Sequence, residues 1–134
     1  MALYVDTSAL LKRYVEEPDS DLAEAYLLAD TEWWSGRHTV VETRRNIVLA
    51  VREPDRRSTR EAFEEDWRRM GVIELDEVTC SLAADIGEMT GVRSLDALHL
   101  GAASRLGPNF LTFLTFDIRQ AQAARTLGFA TLGV

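Results

Sequence analysis

Five short apolar runs, residues 3–5, 33–35, 72–75, 110–115 and 130–132, are separated by stretches whose apolar residues recur at helical spacing. The runs are mostly apolar throughout and do not alternate apolar with polar residues. That pattern belongs to strands buried on both faces, and strands alternating with helices build a parallel sheet with helices packed on either side. The expected architecture is therefore α/β, with a parallel central sheet of about four to five short strands flanked by helices on both faces. The predicted helices cover residues 8–15, 19–29, 39–51, 58–70, 76–89, 94–106 and 117–127. Gly91 and Gly128 stand where two of them should end, and Pro18 and Pro54 interrupt the pattern elsewhere. No repeat, low-complexity tract or linker divides the 134 residues, so one domain over residues 1–134 is expected.

Composition narrows the function. The net charge is −7, so the molecule as a whole does not attract nucleic acid, although a local site still can. Fourteen of the 15 cationic residues are arginine, and nine of those fall between Arg37 and Arg69. With Glu61, Glu64 and Glu65 close by, that stretch reads as a solvated helix face laced with ion pairs, or as a phosphate or partner surface. The single cysteine, Cys80, excludes an internal disulfide or a thiolate metal cluster and reads as a small buried apolar residue. No apolar run approaches a membrane span, and the first residues lack the pattern of a secretion signal, so a soluble cytoplasmic protein is expected.

In parallel α/β sheets, ligands occupy the crevice beyond the carboxyl ends of the strands. Asp6 and Asp117 fall at strand exits, and Glu42 and Asp96 in the first turns of helices. Each has a structural explanation by itself. Asp6 and Asp117 could cap helices, Glu42 could close a capping box with Thr39, and Asp96 could face a helix dipole. Four acids at one pole of the domain point to a site instead. Two carboxylates about 4 Å apart repel by roughly 4 kcal/mol at an effective dielectric near 20, and a divalent cation reverses that. Oxygen donors without clustered cysteine or histidine suit Mg²⁺ or Mn²⁺. His99 is read as a packed structural residue that could also orient a carboxylate, and His38 as a surface residue. At least one of Trp33 and Trp34 should be core. The stripe Leu10, Leu11, Tyr14, Leu22 and Tyr26 fits either core or a groove for a partner segment.

Four segments carry a resemblance: LYVDTSALLKRY with Asp6, HTVVETRR with Glu42, RSLDALHLGAASRLG with Asp96, and FLTFDIRQAQAARTLG with Asp117. In order and separation they resemble the PIN-domain ribonucleases, and in size the chain resembles the VapC-type toxins of toxin–antitoxin pairs. The resemblance implies that Asp6, Glu42, Asp96 and Asp117 are catalytic metal ligands for Mg²⁺, or Mn²⁺, with Ser8 and Thr115 supporting them. It implies hydrolysis of RNA, a small antitoxin partner, a homodimer and a toxin–antitoxin hetero-oligomer. Two other phosphate-handling folds fit poorly. A receiver domain needs an acidic pair after the first strand and a lysine after a late one, and a haloacid-dehalogenase phosphatase needs Asp at position 8. The remaining alternative is a PIN-like module that binds protein or RNA without cutting it.

Overall fold

A computed structural model describes residues 2–134. Its elements are, in chain order, β1 (Ala2–Val5), α1 (Thr7–Leu11), α2 (Ser20–Leu28), β2 (Trp33–Gly36), α3 (Thr39–Ala50), α4 (Asp55–Trp67), β3 (Gly71–Ile73), α5 (Glu77–Thr90), α6 (Ser94–Leu106), β4 (Leu111–Thr115), α7 (Ile118–Thr126) and β5 (Thr131–Gly133). All strand pairs are parallel, in the order β3-β2-β1-β4-β5. The expected sheet is present, with five strands.

The order places a switch point between β1 and β4. The chain moves outward from β1 to β2 to β3, then returns to the other side of β1 with β4. Helices reached from two neighbouring strands then leave on opposite faces, which opens a crevice at their carboxyl ends. Val5 lies in register with Leu114, and the Asp6 amide donates to the Leu114 carbonyl at 3.2 Å, so the exits of β1 and β4 are side by side.

The pleat of β1 divides the core. Ala2 and Tyr4 face a cluster with Leu100, Phe113, Ala124 and Phe129, while Leu3 and Val5 face Leu10, Leu27, Ile47, Phe63 and Leu114. Tyr4 stacks on Phe113 with ring centroids 5.0 Å apart. On the first face α5 and α6 pack very closely at Gly101, where a Cβ would stand 2.9 Å from the Ala83 Cβ and amide and from the Thr79 carbonyl. Gly101→Val should therefore lower stability by about 2–3 kcal/mol, read as a shifted urea midpoint. A midpoint equal to wild type would show that the helices can part freely.

Local chemistry moves several boundaries. The first helix was expected over 8–15 but ends at Leu11, and the chain tightens through Arg13 N–H to Leu10 and Tyr14 N–H to Leu11 bonds. Asp66 draws both side chains toward it there, with Arg13 Nε at 2.7 Å and the Tyr14 hydroxyl at 2.6 Å. The fourth helix starts at Asp55 rather than Ser58, because the Ser58 and Thr59 hydroxyls bond back to the Asp55 carbonyl instead of capping. Cys80 is exposed rather than buried, because α5 turns Thr79, Ala83 and Ile86 inward and leaves Cys80 off that stripe. Trp33 and Trp34 are both half-buried against the core clusters. Of the apolar stripe, Leu10 is buried and Leu11, Tyr14 and Tyr26 pack on the core, while Leu22 is exposed. No helix among the described residues is long and apolar enough to cross a membrane.

Candidate active site

At the switch point a cleft of about 400 Å³ is lined by Asp6, Glu42, Asp96 and Asp117, together with Ser8, Lys12, Asn46 and His99. The fold brings all four sequence-predicted acids to one cavity.

Asp6 is 2% exposed and is held at both oxygens. Oδ1 accepts from the Ala9 amide at 2.9 Å, which makes Asp6 the N-cap of α1, and from the Ser8 hydroxyl at 2.8 Å. Oδ2 accepts from the Thr115 hydroxyl at 2.7 Å. Thr115 in turn accepts from the Asp117 amide at 3.1 Å, and Ser8 from the Phe116 amide at 3.2 Å. The two hydroxyls thus tie the β1 exit to the β4 exit. Burial pushes the Asp6 carboxyl above its ordinary range, and His99, Thr115, Ala9 and Ser8 only partly offset that.

Asp117 caps α7 through a 2.9 Å bond from the Gln120 amide to Oδ1, leaving Oδ2 without a donor among the described residues. Asp96, in the first turn of α6, has no side-chain hydrogen-bond partner among the described residues. Burial first, and then the neighbouring charge of Asp117, pushes its carboxyl up. The lysine of the cleft is turned aside: Lys12 Nζ donates to the Pro18 carbonyl at 2.7 Å and pairs with Glu17 at 3.7 Å. Three acids, two of them held above their ordinary range although His99 and Arg93 pull downward, make a pocket that favours a hard cation with oxygen ligands.

Glu42 departs from the capping box. It turns inward, and its Oε1 accepts from the Thr7 hydroxyl at 2.7 Å and lies 2.8 Å from His99 Nε2, while Oε2 accepts no bond from the described residues. Burial works upward on this carboxyl, but the His99 and Thr7 bonds outweigh it and hold it low. His99, at 2% exposure, is both packed and orienting. The Tyr4 hydroxyl lies 2.8 Å from its Nδ1 and itself accepts from the Gly36 amide at 3.0 Å, so Tyr4 donates to Nδ1 and His99 presents Nε2–H to Glu42.

Sequence reading missed Thr7, Tyr4, Gln120 and His38 as parts of this neighbourhood. Thr7 follows Asp6 directly and carried a usable signal; the others depend on strand order. His38 was expected at the surface and is 8% exposed, because Gly36 leaves room for its ring beneath α3. Burial, then the positive charge that His99 can carry, lowers its pKa to about 4, against upward pulls from Glu42 and the Leu95 carbonyl. Below about pH 6.5 the unfolded chain takes this proton first, so stability falls as pH drops toward 4. In chelator, His38→Gln should remove an acid-side loss on the order of 2–3 kcal/mol from urea midpoints measured across that window. An unchanged slope would show that His38 is not held neutral.

The arginine stretch divides. Arg57–Glu61 and Arg60–Glu64 form the expected i,i+4 pairs at 3.6 Å each. Arg44, Arg45, Arg56, Arg57 and Arg60 also line a groove of about 550 Å³ between α3 and α4, on the helix that carries Glu42.

Fold and cleft together define an α/β domain with an acidic crevice at its switch point. The family model of the PIN domain matches residues 3–126, and the chain belongs to the PIN domain family. It is 32% identical over 134 residues to Ribonuclease VapC46 of Mycobacterium tuberculosis, covering 98% of this chain and 96% of that protein. Among solved structures it is similar to FitAcB from Neisseria gonorrhoeae, with TM-score 0.72 and 19% identity over 98% of this chain and 96% of that one. It is also similar to VapBC-5 of Mycobacterium tuberculosis, a member of the VapBC family of toxin–antitoxin systems, with TM-score 0.65 and 22% identity over 99% and 98% of the two chains.

Proposed function

We propose that this chain, as one PIN domain over residues 1–134, is a metal-dependent endoribonuclease and the toxin of a toxin–antitoxin pair. The observation that carries the reading is the meeting of Asp6, Glu42, Asp96 and Asp117 in one cleft, with Asp6 and Asp96 held above the usual carboxylate range despite the cations around them. Its similarity to a relative named a ribonuclease supports the substrate class.

Asp6, Asp96 and Asp117, with the free oxygen of Glu42, would hold Mg²⁺, with Mn²⁺ as a substitute. Such an ion, when bound, lowers the pKa of an attacking water and offsets charge developing on the phosphate. The protein's own part is placement. Ser8 and Thr115 keep the Asp6 carboxylate aimed into the cleft, the α7 cap fixes Asp117, and Thr7 and His99 fix Glu42. Arg44 and Arg45 in the α3–α4 groove give an RNA strand phosphate contacts beside an otherwise acidic molecule.

The partners follow the same reading: a small antitoxin, and a second copy of the chain in a homodimer and hetero-oligomer. On the outer face of α3, Val41, Val48 and Leu49 are 67%, 50% and 67% exposed, an apolar strip that supports a protein contact. A cytoplasmic location fits an enzyme that acts on cellular RNA.

The test is incubation of partner-free protein with total cellular RNA in Mg²⁺, Mn²⁺ or EDTA. Discrete fragments that vanish in EDTA are expected. Intact RNA in every condition, from folded protein free of partner, would replace this reading with a binding module that does not cut.

A further inference from the structure

Behind Glu42 lies a buried histidine that the acidic cleft does not use. His38 closes the turn between β2 and α3, is 8% exposed, and neither of its ring nitrogens makes a well-formed hydrogen bond among the described residues, although the Leu95 carbonyl lies near enough to favour the protonated ring. Burying an imidazole whose nitrogens lack well-formed bonds is unfavourable unless something meets them. The ring lies 4.0 Å from that of His99, centroid to centroid, and its Nε2 is 3.8 Å from Glu42 Oε1. His99 Nε2 is 2.8 Å from the same oxygen. One ligand atom from each residue falls within 4.8 Å of the other two.

The seat of His38 is specific. A Cβ at position 36 would stand 2.7 Å from its Cε1 and 2.8 Å from its Nδ1, so only glycine there admits the ring. With Nδ1 backed against Gly36, Nε2 is the nitrogen turned toward the carboxylate. We propose that His38, Glu42 and His99 form a second cation site, two imidazole nitrogens and one carboxylate oxygen, that takes a divalent transition-metal ion of the zinc class.

The donor set selects that class. Imidazole nitrogen suits zinc and its neighbours rather than Mg²⁺, and two histidines with one glutamate is an established protein ligand set for zinc. Bonds of about 2.0–2.2 Å around a tetrahedral ion place ligand atoms roughly 3.3–3.5 Å apart. The observed 2.8 and 3.8 Å separations straddle that span, so small side-chain shifts suffice. The ion replaces the His99–Glu42 hydrogen bond. His99 keeps its single proton on Nδ1 instead, where the Tyr4 oxygen 2.8 Å away accepts it and serves as the outer partner that metal-ligating histidines usually have, while the Tyr4 O–H turns from Nδ1 to the neighbouring Ser35 hydroxyl. The site shares Glu42 with the cleft but does not depend on whether the cleft cuts RNA.

The chain has two histidines, so a protein labelled with ¹⁵N-histidine reports on this site alone. Zn²⁺ is titrated into tag-free protein carrying Cys80→Ser, which removes the exposed thiol as a competing ligand. Both Nε2 resonances should move to metal-bound positions at one equivalent, and excess Mg²⁺ should not reproduce the change. His38→Gln should weaken Zn²⁺ binding by about 100-fold or more, with unchanged far-UV circular dichroism, since even loss of an outer partner costs roughly 10- to 100-fold. Asp117→Asn should leave the response intact. Imidazole resonances indifferent to Zn²⁺, equal affinity in His38→Gln, or loss of the response in Asp117→Asn alone would each overturn the proposal. The wild-type titration decides the matter by itself if His38→Gln fails to fold.

Discussion

Asp96→Asn is expected to abolish divalent-ion-dependent RNA cleavage and, in chelator, to make the protein slightly more stable than wild type. The carboxylate has no hydrogen-bond donor among the described residues, and burial and Asp117 both disfavour its charge. Its place in the first turn of α6 works the other way, because a helix N-terminus favours an anion by about 0.3–1 kcal/mol. The net direction is set by the raised pKa: burial and repulsion exceed the dipole. After allowance for the group's half exposure, the gain is on the order of 0.5 kcal/mol, or about 2 °C in melting temperature. Loss of cleavage should reach at least about 100-fold. Melting curves in EDTA and cleavage rates in Mg²⁺ on the same preparation check both halves. Cleavage within a few-fold of wild type would remove Asp96 from the site, and a lower melting temperature would show that the empty carboxylate is not repelled. The same raised values for Asp6 and Asp96 mean that, without metal, these two groups weaken the fold as pH rises from about 4 through their folded pKa values.

The largest stability effect lies away from the cleft. Asp66 is 5% exposed, takes Arg13 Nε and the Tyr14 hydroxyl on Oδ2 at 2.7 and 2.6 Å, and takes Arg69 on Oδ1 at 3.0 Å. Burial acts upward on its carboxyl, but the bonds from Arg13 and Tyr14 prevail and hold it low. This cluster fixes the turn after α1, the helix that presents Thr7 and Ser8 to the site. Asp66→Ala leaves the Tyr14 hydroxyl without its acceptor and the Arg13 guanidinium with Glu24 alone, 2.8 Å from Nη1, at a cost of about 3 kcal/mol. Asp66→Asn keeps one acceptor oxygen and should lose roughly half of that. Urea denaturation with an unchanged slope measures both. A loss under about 0.5 kcal/mol in Asp66→Ala would show that Arg13 and Tyr14 find other partners. The stability that Asp66 supplies is present above its unfolded pKa near 4 and is lost as pH falls through its lower folded value.

The alternation of strands and helices, and the acids at strand exits, were legible because each rests on local pattern: apolar runs without period two, and helical spacing between them. The boundaries of α6 could be read exactly from the span 94–106, with Gly107 beyond it. Strand order could not, and with it went every contact that depends on which strands are neighbours. Thr115 reaches Asp6 across 109 positions of sequence. His38 is buried because of Gly36 and the packing of α3 over β2, a relation no local signal carries. The capping box at Glu42 failed for the same reason. Thr7 and His99, distant in sequence, offer its carboxylate stronger partners than the Thr39 amide does. Cys80 was misread through one step of helical phase.

The cut ends of the RNA test the central claim most directly. If the acidic, oxygen-lined cleft hydrolyses RNA as proposed, water would attack the phosphorus and break the bond to the 3′ oxygen, giving 3′-hydroxyl and 5′-phosphate ends. A pair of imidazoles acting without metal would instead direct the neighbouring 2′-hydroxyl onto the phosphorus, and His38 and His99 lie close enough to make that a real contrast. Fragments produced in Mg²⁺ by wild type and by Asp6→Asn are therefore analysed for their terminal groups. The expected result is 5′-phosphate and 3′-hydroxyl ends from wild type, absent in EDTA and absent with Asp6→Asn. Cleavage that persists in EDTA and in Asp6→Asn, leaving 2′,3′-cyclic phosphates, would contradict it.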